Sequence, residues 1–420
     1  MKIQLSSAVF GEFEVDDHNL IGVYGPTTLE GPGISDVQIR ERFAHPIGIP
    51  SLAELARGKN KVVIVTDDNT RATPLPRLLP PLLDILKEAG VRDEQILFLV
   101  GLGTHRDMTE LEIIQKFGKD IASKYRVINH EWGNPEALVN LGKSELGFEV
   151  VISRHAVEAD MLLVVGSIVP HATTGFSGGG KAIMPGICGE KTIEDTHWKA
   201  LDFAMAEILG NFDNPVRQAV VDVCRRVGLS AIVNTILFDG DKIHDLVVGD
   251  VEAAHRQGVK SCLEVYGVPV NGQADIVVAE AYPTDIDLRQ AIKAICSADI
   301  VCRDNGVIIL PANCPEGAAP QFPDFEYYGF SNPDDLYQEV EEGVFSQKLL
   351  AYTLVAIGRI ISKRVKAILV SENIDATKAE QMGFQHAATV DEALARAYEM
   401  VGQNRKVMVL KQAGQILPVI

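Results

Sequence analysis

The chain is short of basic residues, of aromatic residues and of any cysteine arrangement that would bind a metal or build a disulfide framework. Lys and Arg total 39 against 57 Asp and Glu, a formal net charge of −18 over 420 residues. Such a balance repels phosphodiester backbones and anionic lipid headgroups, so neither nucleic acid nor a membrane is expected as a partner, and an anionic small molecule would need a locally basic pocket. The six cysteines (Cys188, Cys224, Cys262, Cys296, Cys302, Cys314) form no CxxC pair. Each is expected to be a small buried residue in a reducing compartment. No run approaches the ~18 apolar residues that cross a bilayer. The N-terminal MKIQLSSAVFGEFEV alternates like a strand and lacks the unbroken apolar region of a signal peptide. A soluble, cytoplasmic protein is the expectation.

What is present is the composition of a globular protein, 46% hydrophobic and 23% charged with 6% aromatic residues. The length exceeds what one hydrophobic core usually serves, so two domains are expected. Apolar β-branched runs alternate with helix-period segments, the pattern of an α/β architecture with mainly parallel sheets. Strands are expected at 61–66, 95–100, 148–153 and 160–169, and helices over 75–89 and from Asp107 or Thr109. The polar stretch YGVPVNGQA, 266–274, reads as a connection after a helix over 250–264. Alternation then restarts with strands at 275–280, 306–310 and 365–370, a helix over 285–296, and a final strand at 406–410. The expected division is 1–265 and 266–404, with 405–420 a candidate for completing the first domain. The segment from Pro311 to Asn332 is long for a connection, which suggests a functional loop.

The densest chemistry lies in PHATTGFSGGGKAIMPGICGEKTIEDTH, Pro170 to His197. A Gly-Phe-Ser-Gly-Gly-Gly run gives up packing and conformational entropy, and is expected where backbone approaches a ligand. GFSGGGKA nearly matches the phosphate-loop pattern GxxxxGK[ST], yet Ala182 lacks the hydroxyl that binds magnesium. A nucleotide-binding enzyme using Gly175–Lys181 for phosphates is therefore the alternative reading. Lys181 beside the apolar AIMPG can be desolvated, which lowers its pKa and makes it a nucleophile able to form a covalent link.

Three further motifs stand out. TDDNTRATP, 66–74, follows a strand where open α/β sheets bind ligands; Arg71 can grip an anion, while Asp68 and Thr70 can equally serve as helix caps. GLGTHRD, 101–107, follows another strand and places His105, a residue type suited to acid/base work, in a second loop. In YPTDIDLRQAIKAI, 282–295, Gln290 and Lys293 are an i, i+3 pair on one helix face, next to Arg289. A solvated face and a site for a substrate carboxylate both account for them.

In this order and spacing, DDNTR, GTHR, PHATTGFSGGGKAIMPGI, TH and YPTDIDLRQAIK strongly resemble the nickel-dependent lactate racemase family, and the likeness spans most of the chain. The resemblance implies two α/β domains flanking a cleft, an N-terminal cofactor-binding domain and a C-terminal domain that closes on substrate. It implies a nickel-pincer nucleotide, the Ni(II)-pyridinium-3,5-bisthiocarboxylic acid mononucleotide, made by separate cofactor-synthesis enzymes and bound covalently at Lys181. His197 matches the protein ligand of nickel, a role that neutral imidazole suits. Asp68, Asn69, Thr70 and Arg71 match the segment that contacts the cofactor, Arg71 also meeting the substrate's developing oxyanion. His105 and His171 match the paired acid/base residues, and Gln290 and Lys293 the substrate-binding pair. The implied activity is that of a 2-hydroxyacid racemase or epimerase, an isomerase. It would invert C2 by proton-coupled hydride transfer to the cofactor through a 2-keto acid.

One departure bears on the substrate. Arg289 stands where many members carry a tyrosine before the glutamine, and the region of Thr353 supplies Tyr352 but no tryptophan to wall a lactate methyl group. An arginine in an apolar pocket is costly unless paired. Arg289 is accordingly read either as pointing to solvent or as meeting a second polar or anionic substrate group. The second reading favours a malate-like 2-hydroxy acid, with lactate as the alternative.

Overall fold

The computed structural model describes residues 1–320 and 322–420. The chain forms two compact units, a larger one of Leu29–Ala200 and Gly210–Val265, and a smaller one of Met1–Thr28, Leu201–Leu209 and Tyr266–Ile420.

The larger unit is built on a six-stranded sheet in the order Lys242–Gly249, Leu229–Phe238, Met161–Ser167, Val62–Asp67, Ile96–Gly101, Arg126–Asn129. Neighbours run parallel except the first pair. Both faces of the inner strands are covered, which is why VVIVT and ILFLV are apolar at every position instead of alternating. Helix Leu75–Glu88 lays Leu75, Leu78, Leu79, Leu82 and Leu86 onto the sheet at helical spacing, where they meet Ile64, Phe98 and Val100 in one core. The expected strands appear within a residue or two of their places. Glu149–Ser153 differs in its partner: it forms a separate antiparallel ribbon with Leu138–Lys143 outside the main sheet.

The smaller unit carries a second six-stranded sheet, parallel throughout, in the order Gln385–Ala387, Lys366–Val370, Cys302–Pro311, Ala274–Ala279, Val407–Leu410, Leu20–Tyr24. Its membership corrects the expected division at both ends of the chain. Val407–Leu410 pairs with Ala274–Ala279 on one side and Leu20–Tyr24 on the other, so 405–420 and the first 28 residues belong with the C-terminal part, as does Leu201–Leu209, and not with Leu29–Ala200 and Gly210–Val265. Apolar patterning reveals a strand but not its neighbour, and parallel neighbours are separated by long crossovers.

Three local expectations also change. The N-terminal segment is two short strands, Lys2–Gln4 and Glu12–Glu14, paired antiparallel around a turn of 3-10 helix at Ala8–Phe10. The expected helix over 285–296 breaks at Ile292 into Leu288–Ala291 and Lys293–Val301, the first capped by Asp287, whose side chain accepts from the Gln290 N–H at 2.7 Å. The long segment after Pro311 contains helix Pro323–Tyr328, anchored by buried Phe325 edge-on to Phe330. Among the described residues all six cysteines are free thiols, five buried and Cys296 half-buried, and no helix is long and apolar enough to cross a membrane.

Candidate active site

The chemistry-bearing loops of the larger unit leave the carboxyl ends of its parallel strands, where backbone N–H groups and side chains can turn toward a ligand. A polar chain runs across three adjacent strand ends. Thr235 Oγ1 lies 3.0 Å from Ser167 Oγ, Ser167 Oγ lies 2.5 Å from Thr73 Oγ1, and the Thr73 hydroxyl donates to Asp67. Lys116, with only 7% of its side chain exposed, sits 2.8 Å from Asp67 Oδ1 and donates to the Arg71 carbonyl at 2.6 Å. Burial drives the Asp67 carboxyl above its ordinary range, against the pull of Lys116. This bridge fixes the turn that carries Arg71, whose own side chain is exposed.

Within that turn Asp68 and Thr70 do not cap helix Leu75–Glu88, whose cap position is Pro74 without a side-chain hydrogen bond. The Asp68 carboxylate instead accepts from the Thr70 N–H at 3.1 Å and the Thr70 hydroxyl at 2.5 Å through one oxygen, and meets His105 Nδ1 at 2.6 Å through the other. Burial alone would raise the Asp68 pKa, but these hydrogen bonds outweigh it and hold the group below its usual range. Asn69 is exposed and donates to Glu112 Oε1 at 2.8 Å.

The glycine-rich run has a role different from the one expected. Pro170–His171 pairs antiparallel with Gly175–Phe176, and a 3-10 turn follows at Gly179–Ala182. A Cβ on Gly178 would sit 2.7 Å from Ile168, one on Gly179 2.9 Å from the His255 ring, and one on Gly180 inside contact distance of Cys224 Sγ. The glycines let the turn sink into the unit's own core instead of opening it to a ligand; positive φ at Gly178 (69°) and Gly179 (55°) adds to the requirement. The phosphate-loop alternative fails on the same geometry. The N–H groups of Ser177, Gly179 and Lys181 donate to Val169 O, Asn234 Oδ1 and Gly178 O, and no α-helix opens directly from the turn.

Beneath this turn lies Arg217, 2% exposed, whose guanidinium donates to the carbonyls of Thr174 (3.2 Å), Phe176 and Gly178 (3.4 Å). His255 Nε2 meets the Ser177 carbonyl at 2.8 Å. Burial without a carboxylate partner pulls Arg217 down to about 10. The sequence reading missed Arg217 and Lys116. A signal for Arg217 exists: in helix Pro215–Arg226 it is in phase with Val220, Val221 and Cys224, an arginine on an apolar face.

Lys181, His171 and His197 are recessed together with Arg71 and Arg217 in electrostatic reach. Burial first, then the two arginines, pull Lys181 down to about 7, with Asp68 opposing. Burial lowers His197 to about 4, and burial with the surrounding cations takes His171 well below its ordinary value. Both imidazoles are therefore neutral near pH 7. His197 lies on helix Glu190–Ala200 and its Nδ1–H donates to the Ile193 carbonyl at 2.8 Å, which puts the lone pair on Nε2. His171 Nδ1 accepts from the Thr173 N–H at 3.2 Å. Among the described residues no group of three or more His, Cys, Asp or Glu converges to hold a metal ion.

In the smaller unit, Lys293 Nζ donates to Gln290 Oε1 at 2.6 Å, so the pair meets despite the helix break between them. Arg289 is half-buried, its guanidinium 4.4 Å over the Phe322 ring, and burial lowers its pKa against the opposing charge of Asp287. Arg289 and Gln290 line a cleft of ≈ 370 Å³ together with Thr284, Asp287, Glu316 and Phe322.

Two outcomes follow from this packing. Gly180→Ala, at a position with no positive φ, should lose about 1–3 kcal/mol through overpacking against Cys224, read as a lower urea midpoint with an unchanged slope. The Lys181 amine is protonated below about 7 and neutral above it. Its acylation by a small anhydride, followed by peptide mass spectrometry, should therefore rise with pH to half its maximum near 7, while exposed lysines respond only in the alkaline range.

Residues 9–207 match the family model described as the lactate racemase N-terminal domain, and residues 270–417 the lactate racemase C-terminal domain. The chain is 31% identical over 406 residues to a lactate racemase of Lactiplantibacillus plantarum, covering 94% of each. Against the lactate racemase of Thermoanaerobacterium thermosaccharolyticum it is 29% identical over 386 residues, 90% of this chain and 89% of the relative. The apoprotein structure of a lactate racemase from the latter organism superposes with a TM-score of 0.85 at 27% identity, covering 97% of both chains. A Thermotoga maritima protein at 20% identity and a TM-score of 0.66 shares the fold. With both domain models matched in order and a relative matched along nearly its whole length, the chain belongs to the lactate racemase family and is a racemase, an isomerase acting on a 2-hydroxy acid.

Proposed function

We propose that this protein inverts C2 of a polar 2-hydroxy acid with the help of a nickel-pincer nucleotide attached at Lys181. When bound, that group supplies an acceptor and donor of hydride for C2. The observation that carries the reading is a lysine pulled down to about 7 among neutral histidines at the carboxyl edge of a parallel sheet. An amine with a substantial neutral fraction near neutral pH is the nucleophile that a covalent tether needs. Neutral His197, its Nδ1–H held by the Ile193 carbonyl, is of a type that suits nickel as a ligand.

The chain's own residues then have the following tasks. Arg71, on the turn braced by Lys116, stabilises negative charge as it develops on the C2 oxygen. The segment Asp68, Asn69, Thr70 and Arg71 would contact the cofactor's phosphoribose, its shape held by the Asp68 bonds to Thr70 and His105 and by the Asn69 bond to Glu112. His105 and His171 hold and move the hydroxyl proton. Gln290 and Lys293 bind the carboxylate, leaving only the reacting carbon to reorient. Arg289, stacked on Phe322 in its cleft, would meet a second polar or anionic group of the substrate.

Co-expression with the cofactor-making enzymes should give a protein with bound nickel and a mass increase confined to the peptide of Lys181, both lost in Lys181→Ala. Racemisation by a protein with neither nickel nor adduct would refute the cofactor reading. On the substrate, Arg289→Ala should lower kcat/KM for malate-like or sugar acids about 10- to 100-fold, the value of one charge-assisted contact, and leave lactate unchanged. Equal losses on all substrates, or a wild-type preference for lactate, would remove Arg289 from specificity.

A further inference from the structure

The two histidines assigned to the proton are held by partners of opposite hydrogen-bonding sense. His105 Nδ1 faces a carboxylate oxygen of Asp68 at 2.6 Å. An ionised carboxylate only accepts, so Nδ1 carries the hydrogen and the lone pair lies on Nε2. Asp68 cannot readily turn away: 4% of its side chain is exposed, and Thr70 holds its second oxygen with N–H and hydroxyl. The His105 ring is 55% exposed, so its outer edge is accessible to a ligand. His171 is the reverse case. Its Nδ1 faces the backbone N–H of Thr173 at 3.2 Å, and a backbone N–H only donates, so Nδ1 holds the lone pair and Nε2 the hydrogen. That contact lies within the tight turn between Pro170–His171 and Gly175–Phe176, whose Thr174 and Phe176 carbonyls Arg217 grips from below.

We propose that the two histidines are not equivalent bases: in the resting protein His105, backed by Asp68, is set to take a proton, whereas His171 presents an N–H donor, and Asp68 is a positioning residue for the reaction. The assignment of tautomers stands on the hydrogen bonds alone; its catalytic meaning rests on the function proposed above. In the direction served by His105 the substrate hydroxyl proton moves to Nε2. This leaves an alkoxide and an imidazolium whose charge is balanced through Nδ1–H by the Asp68 carboxylate. His171 meanwhile donates a hydrogen bond from Nε2. To act as a base it must first lose the Nε2 hydrogen and gain one at Nδ1, giving up the Thr173 contact. Enantiomers have equal free energy, so kcat/KM is bound to be the same for both. The asymmetry therefore emerges as kcat and KM that differ between enantiomers by a common factor.

The test is long-range ¹H–¹⁵N correlation on the full-length protein labelled at histidine, with His105→Gln and His171→Gln to assign the signals. The expected result is the Nδ1–H tautomer for His105 and the Nε2–H tautomer for His171. Asp68→Asn, whose amide can donate as well as accept, should leave His171 unchanged and convert His105 to a mixture. In cofactor-loaded enzyme the same variant should lower kcat about 10²–10⁴-fold, the range of a misdirected general base, with the ratio of kcat values between enantiomers also changed. One tautomer shared by both histidines, or a His105 spectrum indifferent to Asp68→Asn, would overturn the proposal. If the tautomers are as expected but no 2-hydroxy acid is racemised, the proposed function fails and the tautomer assignment survives.

Discussion

The site depends on one packing constraint, the descent of the Gly178–Gly180 turn into the core of the larger unit. Its backbone lies where any Cβ would strike Ile168, His255 or Cys224, and Arg217 and Asn234 receive the polar groups carried inward with it. This position sets where Lys181 begins and how deeply its amine is recessed. The turn is also tied to its neighbours, since the Gly186 N–H donates to Lys181 O and the Gly186 carbonyl accepts from Gly103 in the His105 loop. A rigid support of this kind is what a covalent attachment and a proton-transfer geometry both require.

Charge follows from that burial. The chain is strongly acidic overall, yet around Lys181 the neighbours are Arg71 and Arg217, with Asp68 as the opposing carboxylate. Asp67 pairs with Lys116, and Asp68 accepts from Thr70 and His105, so the acidic groups of the segment are committed locally. The net effect is a positive enclosure in an acidic protein, suited to anionic ligands. The same enclosure pulls Lys181 down to about 7 and keeps both recessed histidines neutral.

Much of the fold was legible because buried parallel strands are apolar throughout and their helices show 3.6-residue periodicity. KVVIVT and QILFLV announced their strands, and the polar residues after them announced the loops. What failed was pairing. Nothing in VMVL or LIGVY says that these segments, nearly four hundred residues apart, lie side by side. The glycine run does mark a close backbone approach, but at Gly178–Gly180 the approach is to Ile168, His255 and Cys224. Sequence shows that backbone must come close to something, but not whether that is a ligand or Cys224.

The residue types of the site, its order along the chain and the family resemblance were determined by sequence alone. Side-chain chemistry and spacing single out a lysine, three histidines and an arginine as candidates without coordinates. Tertiary structure decided the states of those groups. Depth of burial shifts Lys181 and His197. A carboxylate against one ring and a backbone N–H against another fix opposite tautomers in His105 and His171. Arg217, more than thirty residues beyond Lys181, completes the enclosure from beneath. Proton affinity is set by distance and solvent exclusion, and neither is written in a linear order of residues.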